Sequence, residues 1–417
     1  MNVYDELSSR GFVKQEVGAL REKLSSENGK VTFYNGFDPT ADSLHIGHLM
    51  PIMAMTHLQR AGHVPIALIG GGTAMIGDPS GKTEMRQMLS EKTIAANGKA
   101  LKAQFEKYLK FGRGAGYFLN NADWLMKLGY IEFLREIGKY FRVNEMIKAE
   151  AYRARLEREE GLSFIEFNYQ LLQAYDFLVL FDKYHCTLQM GGDDQWSNML
   201  AGSDLIRRMR PEKNDGQNPA CLLTLPLLVT ATGQKMGKTE AGAVWLDPKK
   251  TSPYEFYQYW INADDRDVER FLKLFTFMPL DEIAALCAEG GASLRKAKEV
   301  LAFETTRITH GDKEAEKARA AARNLFGGED GNNEAADVPA TEISSKEAEN
   351  MKITDLLVHI GFASSKSEAN RLIKAGGVSV DGKIAIDSMA SIKSLSGADS
   401  FLIRKGKKFY HRVTIGG

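Results

Sequence analysis

The sequence predicts an α/β protein: a doubly wound parallel sheet, then a helical region and a small α+β module. Three observations carry this. Short, nearly continuous apolar runs at Val31–Tyr34, Val64–Ile69, Thr187–Met190 and Leu222–Val229 read as buried strands. Each runs into a polar stretch rich in turn residues, and helical patterns lie between most of them, as parallel strands joined by crossovers require. Beyond residue 247 helical segments take over.

At 417 residues the chain has the length for two or three domains and a large core. Its 43% hydrophobic and 26% charged residues are ordinary for a globular protein. The three cysteines (Cys186, Cys221, Cys287) form no CxxC pair, so neither a disulfide framework nor a structural zinc site is expected. The first twenty residues carry acids and no apolar core region, unlike a signal peptide, and no apolar run is long enough to cross a bilayer. A cytosolic protein is expected. Net charge is zero, yet residues 351–417 hold eleven Lys and Arg against five Asp and Glu. Such an excess suits either a polyanionic partner or a solvated charged surface.

The first strand leads into Gly36-Phe37-Asp38-Pro39-Thr40, a turn by composition, with Asp42 or Ser43 placed to cap the next helix. That helix, apolar from Met50 to Gln59, presents His45 and His48 three residues apart on one face, with Gly47 between them. Its N–H groups, dipole and imidazoles favour a phosphate, and Gly47 leaves room for a flat group such as a purine.

The second strand ends in Gly70-Gly71-Gly72-Thr73, before a loop that bears Asp78, Lys82 and Arg86. Gly81-Lys82-Thr83 looks like a P-loop ending, but Ile76 stands where that pattern needs glycine, and no GxGxxG is spelled here. What remains is a mobile loop with two cations and an acid at a strand's carboxyl end, where ligands of parallel sheets sit.

Residues 84–160 are mostly helical by pattern, with a strand at Tyr117–Leu119. The amphipathic stretch Ile131–Met146 is either an oligomer surface or a helix packed on its own sheet. Tyr169, Gln173 and Asp176 then fall at i, i+4 and i+7 among Leu, Tyr and Phe, the mark of a buried polar pocket in want of a partner. Gly191-Gly192-Asp193-Asp194-Gln195 follows the next strand. Its glycines admit a ligand to the backbone, and a carboxylate there can hold a ribose diol. After the last strand comes a flexible loop with Lys235 and Lys238. Helices are expected over Pro253–Asn262 and Asp267–Phe277, and an acidic linker over 327–350. The final module has helices at Ile353–Ile360 and Ser365–Lys374, a hairpin turning on Asp381-Gly382, and the basic, aromatic stretch Arg404–Tyr410.

His45-Ile46-Gly47-His48 and Lys235-Met236-Gly237-Lys238-Thr239, separated by an α/β domain, resemble the paired motifs of class I aminoacyl-tRNA synthetases. Tyr34-x-Gly36-Phe37-Asp38-Pro39-Thr40, Tyr169-x3-Gln173-x2-Asp176 and Gly192-x-Asp194-Gln195 narrow the resemblance to the bacterial tyrosyl-tRNA synthetase family, over essentially the whole chain. It implies a Rossmann-like catalytic domain with a helical insertion over 1–225, a lysine loop over 226–247 and an α-helical anticodon-recognition domain over 248–326. After the linker it implies a ribosomal-protein-type RNA-binding domain over 351–417. The implied activity is that of a homodimer that activates L-tyrosine with ATP and Mg²⁺, then charges tRNA(Tyr).

Carried over by position, Tyr34 and Asp176 would bind the phenol hydroxyl, and Asp78, Tyr169 and Gln173 the ammonium. Gln195 would lie near the carboxylate, Gly192 and Asp194 at the ribose, and Gly36, Asp38, Gly47 and Lys238 at the ATP. The chemistry sets its own demand. A carboxylate that attacks the α-phosphate is already ionised, so no protein base or nucleophile is needed, only donors and positive charge on the leaving pyrophosphate. Thr40, His45, His48, Lys82, Arg86, Lys235 and Lys238 are the candidates. Asn35 stands where relatives often have cysteine and Asp193 replaces a common serine, changes that bear on nucleotide affinity. A tryptophanyl-tRNA synthetase is disfavoured by the Tyr34/Asp176 pair and the C-terminal module. An RNA-binding protein built on a dead synthetase is disfavoured by intact His45, His48, Lys235 and Lys238. No protein-bound metal is expected.

Overall fold

The computed structural model describes residues 2–25, 29–78, 89–157, 161–211, 219–233, 236, 238–239, 242–288, 291–326, 340–363, 365–392, 399–406 and 409–416. The chain forms two compact units. The first is Met1–Lys235 with Glu269–Ala284, the second Met236–Val268 with Ala285–Gly417.

The first unit is built on six strands: β1 (Gln15–Val17), β2 (Thr32–Phe37), β3 (Val64–Ile69), β4 (Tyr117–Asn120), β5 (Cys186–Gly192) and β6 (Cys221–Leu225). They lie in the order β1-β6-β5-β2-β3-β4, all parallel except β1, which runs antiparallel along β6. From β2 the chain winds outward through β3 and β4, then returns to β5 and β6 on the other side. The carboxyl ends of β2 and β5 therefore flank the switch point, where a crevice opens. All five residues of β6 are buried, so its apolar run does not alternate. The strand stops at Leu225, short of the Val229 expected, because Pro226 has no N–H to donate.

Helices α1 (Val3–Arg10), α2 (Ile46–Arg60), α3 (Glu91–Phe105), α4 (Phe164–Tyr184) and α5 (Trp196–Met209) complete the unit's framework. The core under α4 includes Tyr34, Leu178, Phe181 and Phe177, whose ring centroid lies 5.3 Å from that of Tyr34. Such an aromatic pair is worth about 0.5–1.5 kcal/mol beyond its buried area. The amphipathic stretch around Ile131–Met146 is not one helix. It breaks at Gly138 into Tyr130–Glu136, a 3₁₀ turn and Val143–Met146.

In the second unit β7 (Lys238–Thr239) pairs with β8 (Gly242–Ala243). Helices α6 (Pro253–Ile261), α7 (Ala292–His310) and α8 (Asp312–Phe326) pack on one another and bury Phe256, Tyr257, Trp260 and Leu301. The helical domain expected over 248–326 is thus not one body. Glu269–Ala284 rejoins the first unit, where Arg10 of α1 binds its main-chain carbonyls.

The C-terminal module has five strands: β9 (Ala340–Ser344), β10 (Val378–Val380), β11 (Lys383–Ile384), β12 (Ser400–Lys405) and β13 (Phe409–Gly416), in the order β11-β10-β12-β13-β9. Helices α9 (Ser345–Asn350), α10 (Ile353–His359) and α11 (Lys366–Lys374) complete it. The linker expected over 327–350 therefore ends before Ala340. Residues 340–350 form β9 and α9, because Ile343, 2% exposed, has a place in the module's core. Asp381 (φ 44°) and Gly382 (φ 80°) make the two-residue turn between β10 and β11, which needs both residues left-handed. Among the described residues no helix is long and apolar enough to cross a membrane.

Candidate active site

The cap of α2 differs from expectation. Ser43 is buried and donates to Leu44 O, and Gln104 of α3 accepts from Leu44 N, so neither Asp42 nor Ser43 caps the helix. His45 is the N-cap. Its Nδ1 accepts from Gly47 N at 3.0 Å, while His48 Nδ1 accepts from His45 N at 3.1 Å. The ring centroids are 4.0 Å apart. Because both Nδ1 atoms accept, each neutral ring carries its proton on Nε2, the nitrogen with which it can donate to an anion.

Asp176, 3% exposed on α4, accepts from Asn121 Nδ2 at 2.8 Å and from Trp124 Nε1 at 2.7 Å. Burial pushes its pKa up to about 7, although both donors pull the other way. Tyr34 Oη is buried and has no hydrogen-bond partner among the described residues. Burial, and secondarily the charge of Asp176, raises the Tyr34 phenol well above its ordinary range. Tyr169 is raised in the same way, by burial and then by Asp38 and Asp78. Three carboxylates thus bear on one pocket that also holds two protonated phenols.

A hydrogen-bond net ties the pocket together. Thr73 Oγ1 donates to Asp38 Oδ1 at 2.9 Å, Tyr169 Oη to Asp38 Oδ2 at 3.4 Å, and Asn121 Nδ2 to Thr73 Oγ1 at 3.1 Å. Gln195 Nε2 donates to Asp78 Oδ2 at 2.7 Å, and Asn198 Nδ2 reaches Gln173 Oε1 at 3.1 Å and Gln195 Oε1 at 3.3 Å. The glycine run after β3 is where this net crosses the backbone. A Cβ on Gly70 would stand 2.0 Å from Asp38 Oδ1, and one on Gly71 2.2 Å from Asn120 Oδ1. Gly36, in contrast, faces open space, which keeps the end of β2 accessible. Thr40 is exposed, and a Cβ on Gly192 would press on Asp194.

The two departures from the family pattern, Asp193 and Asn35, have partners within the fold. Asp193 Oδ1 accepts from Gln15 Nε2 at 2.6 Å and Thr224 Oγ1 at 2.9 Å, and so pins β1 and β6 to the turn after β5. Asn35 is 5% exposed and donates to Gly36 O. Lys82, Arg86 and Lys235 lie outside the described residues, and Lys238 contributes its backbone to β7 in the second unit. Sequence reasoning missed Thr73, Asn121, Trp124 and Asn198. The signal for two of them was present: Asn121 and Trp124 directly follow a parallel strand's carboxyl end.

Residues 26–327 match the family described as tRNA synthetases class I (W and Y), and the chain belongs to that family. Other matches separate the two amino acids: residues 330–413 match the tyrosine–tRNA ligase SYY-like C-terminal domain. The chain is 52% identical over 418 residues to the tyrosine–tRNA ligase of Clostridium kluyveri and 50% over 417 residues to that of Clostridium botulinum, each match covering 99% of both chains. A solved structure, the C-terminally truncated mitochondrial tyrosyl-tRNA synthetase of Aspergillus nidulans, aligns with TM-score 0.68 at 33% identity, covering 78% of this chain and 94% of that one. The activity is that of a tyrosine–tRNA ligase: L-tyrosine and ATP give tyrosyl-adenylate and pyrophosphate, and the tyrosyl group passes to the 3′ end of tRNA(Tyr).

Proposed function

We propose that the substrate phenol hydroxyl sits between Tyr34 and Asp176, and the observation that carries this is the unpartnered, buried Tyr34 Oη beside an equally buried carboxylate. Phenylalanine in that slot leaves Tyr34 Oη unpaired and brings Asp176 no donor beyond Asn121 and Trp124, the kind of discrimination for which tyrosyl-tRNA synthetases are the known example. The ammonium fits the negative potential of Asp78 and Asp38 with Tyr169 and Gln173. Gln195 serves the carboxylate, Asp194 with Gly192 the ribose, and Gly36 with Gly47 the approach of the nucleotide. The imidazoles of His45 and His48, with Thr40, Lys82, Arg86, Lys235 and Lys238, take the charge that grows on pyrophosphate. Mg²⁺ arrives with ATP, on its phosphates. Pyrophosphate exchange with tyrosine, phenylalanine and tryptophan side by side tests the slot. Tyr34→Phe should lower kcat/KM for tyrosine by about 3- to 10-fold, one neutral hydrogen bond's worth, without lowering it for phenylalanine. An equal loss for both amino acids would place Tyr34 in the packing alone.

The second unit, with its basic C-terminal module, carries tRNA, and the protein works in the cytoplasm, where charged tRNA is used. It does so as a homodimer. Tyr130, Ile131 (74% exposed), Val143 and Leu156 on the insertion between β4 and α4, with Phe164 (66% exposed) at the start of α4, are exposed apolar side chains that a second copy would cover. Ile131→Asp should shift light-scattering mass from dimer towards monomer. A wild-type monomer at working concentration would refute the assignment.

A further inference from the structure

Asp193, Asp194 and Gln195 form a single 3₁₀ turn between β5 and α5, closed by Trp196 N donating to Asp193 O. Gly192, its N-cap, supplies no side-chain bond. A turn this short takes its orientation from what its side chains grip, and at three residues per turn they leave the axis roughly 120° apart. Two of the three are tied. Gln195 Nε2 donates to Asp78 Oδ2 at 2.7 Å, and its Oε1 accepts from Asn198 Nδ2 at 3.3 Å. On another side Asp193 Oδ1 accepts from Gln15 Nε2 at 2.6 Å and from Thr224 Oγ1 at 2.9 Å. With the residues before and after it held in this way, the direction of Asp194 is set.

The Asp193 tie reaches across a whole strand. Gln15, Thr224 and Gly191 stand in one row over β1, β6 and β5. Thr224 is fully buried, so its hydroxyl needs an acceptor, and Asp193 Oδ1 is nearer than Gln15 O at 3.5 Å. The same hydroxyl accepts from Gln15 N at 3.0 Å. Gln15 thus closes a ring of hydrogen bonds, its main-chain N–H on Thr224 and its side-chain N–H on Asp193, in which each bond polarises the next. We propose that Asp193 is a positioning residue for the nucleotide: anchored by Gln15 and Thr224, it holds the 3₁₀ turn so that Asp194 meets the ribose. This rests on the reading that Asp194 takes the ribose. The tyrosine subsite depends less on the tie, because Gln195 keeps its own partners and the phenol slot is built on β2 and α4.

The test is tyrosine-dependent pyrophosphate exchange by the full chain, per titrated active site, with ATP and with 2′-deoxy-ATP. Asp193→Ala and Gln15→Ala should each raise KM for ATP about 3- to 10-fold, with KM for tyrosine within about twofold of wild type. Both should also narrow the preference for ATP over 2′-deoxy-ATP, since a turned Asp194 gains less from the hydroxyl. Asp193→Asn keeps an oxygen that can accept both bonds and should restore KM for ATP. Gln15→Ala added to Asp193→Ala should cost nothing more, because both remove one tie. Lower melting temperatures with KM and nucleotide preference unchanged, or equal rises in KM for ATP and tyrosine, would overturn the proposal. If Asp193→Ala does not fold, Gln15→Ala on the sheet's edge decides by the same readouts. The underlying reading has its own arm: Asp194→Ala should abolish the preference for ATP over 2′-deoxy-ATP. A preference that survives there removes Asp194 from the ribose; one lost there but intact in Asp193→Ala overturns the role of Asp193 alone.

Discussion

Asp176→Ala should lower kcat/KM for tyrosine by two to three orders of magnitude, with KM for ATP nearly unchanged. The argument is local. A hydrogen bond to a charged group contributes about 1.5–3 kcal/mol, and removing the carboxylate also strands the Asn121 and Trp124 donors that now point at it. A combined loss of about 3–4 kcal/mol is a factor of about 10²–10³. The variant should fold, since an acid whose folded pKa is raised destabilises the native state once it ionises. Such a group favours folding fully only below its unfolded value near 3.8, and that advantage is lost as pH rises through about 7. At neutral pH the alanine variant gives up nothing from the carboxyl's own ionisation, and its folding cost is the partner that Asn121 and Trp124 lose. Pyrophosphate exchange under limiting tyrosine measures the effect. A drop of tenfold or less would show that Tyr34 and packing alone recognise the hydroxyl.

The same carboxyl predicts a pH profile. A phenol O–H donates best to an ionised acceptor, so kcat/KM for tyrosine should fall as pH drops below about 7. Trp124→Phe removes a donor that lowers the Asp176 pKa, so the falling limb should move to higher pH. Exchange rates between pH 6 and 9 check both, and a limb that stays fixed in the Trp124 variant would assign it to another group.

What could be read in advance follows from how each feature is encoded. Tyr169, Gln173 and Asp176 were legible because one helical period joins them and lysine and glutamate are absent from the stripe. Asn121 and Trp124 lie 55 and 52 residues from Asp176, and no periodicity links them to it; only the folded sheet brings the end of β4 against α4. Strand β1 escaped because three residues on an antiparallel edge leave almost no pattern. Strand β9 was hidden in acidic surroundings, with Ile343 its one fully buried side chain. The helix cap was misassigned for a chemical reason: Asp and Ser are the usual caps, yet an imidazole Nδ1 accepts the same bond. The packing of Glu269–Ala284 into the first unit, by contrast, involves Arg10 reaching 263 to 268 residues along the chain, which no local rule records.

His45→Asn should lower kcat for tyrosine activation by about 10²–10³ while KM for tyrosine and ATP changes little. Asparagine is among the best N-cap residues, so its carbonyl can take the Gly47 N–H that His45 Nδ1 now holds, and the helix keeps its start. What it cannot restore is an Nε2–H donor at the same reach. The loss of one preformed donor to a developing oxyanion is typically that large and falls on the transition state, not on ground-state binding. His45→Ala loses the donor and the cap together, so it should show the same rate defect plus about 1 kcal/mol of destabilisation. Comparing the two in single-turnover adenylate formation and in thermal melts separates the roles. His48 should not behave additively with His45, because its Nδ1 holds the His45 N–H: removing it also loosens the neighbouring imidazole. If His45→Asn activates tyrosine at the wild-type rate, the imidazole is a cap and nothing more, and the charge on pyrophosphate must be met by the loop cations alone.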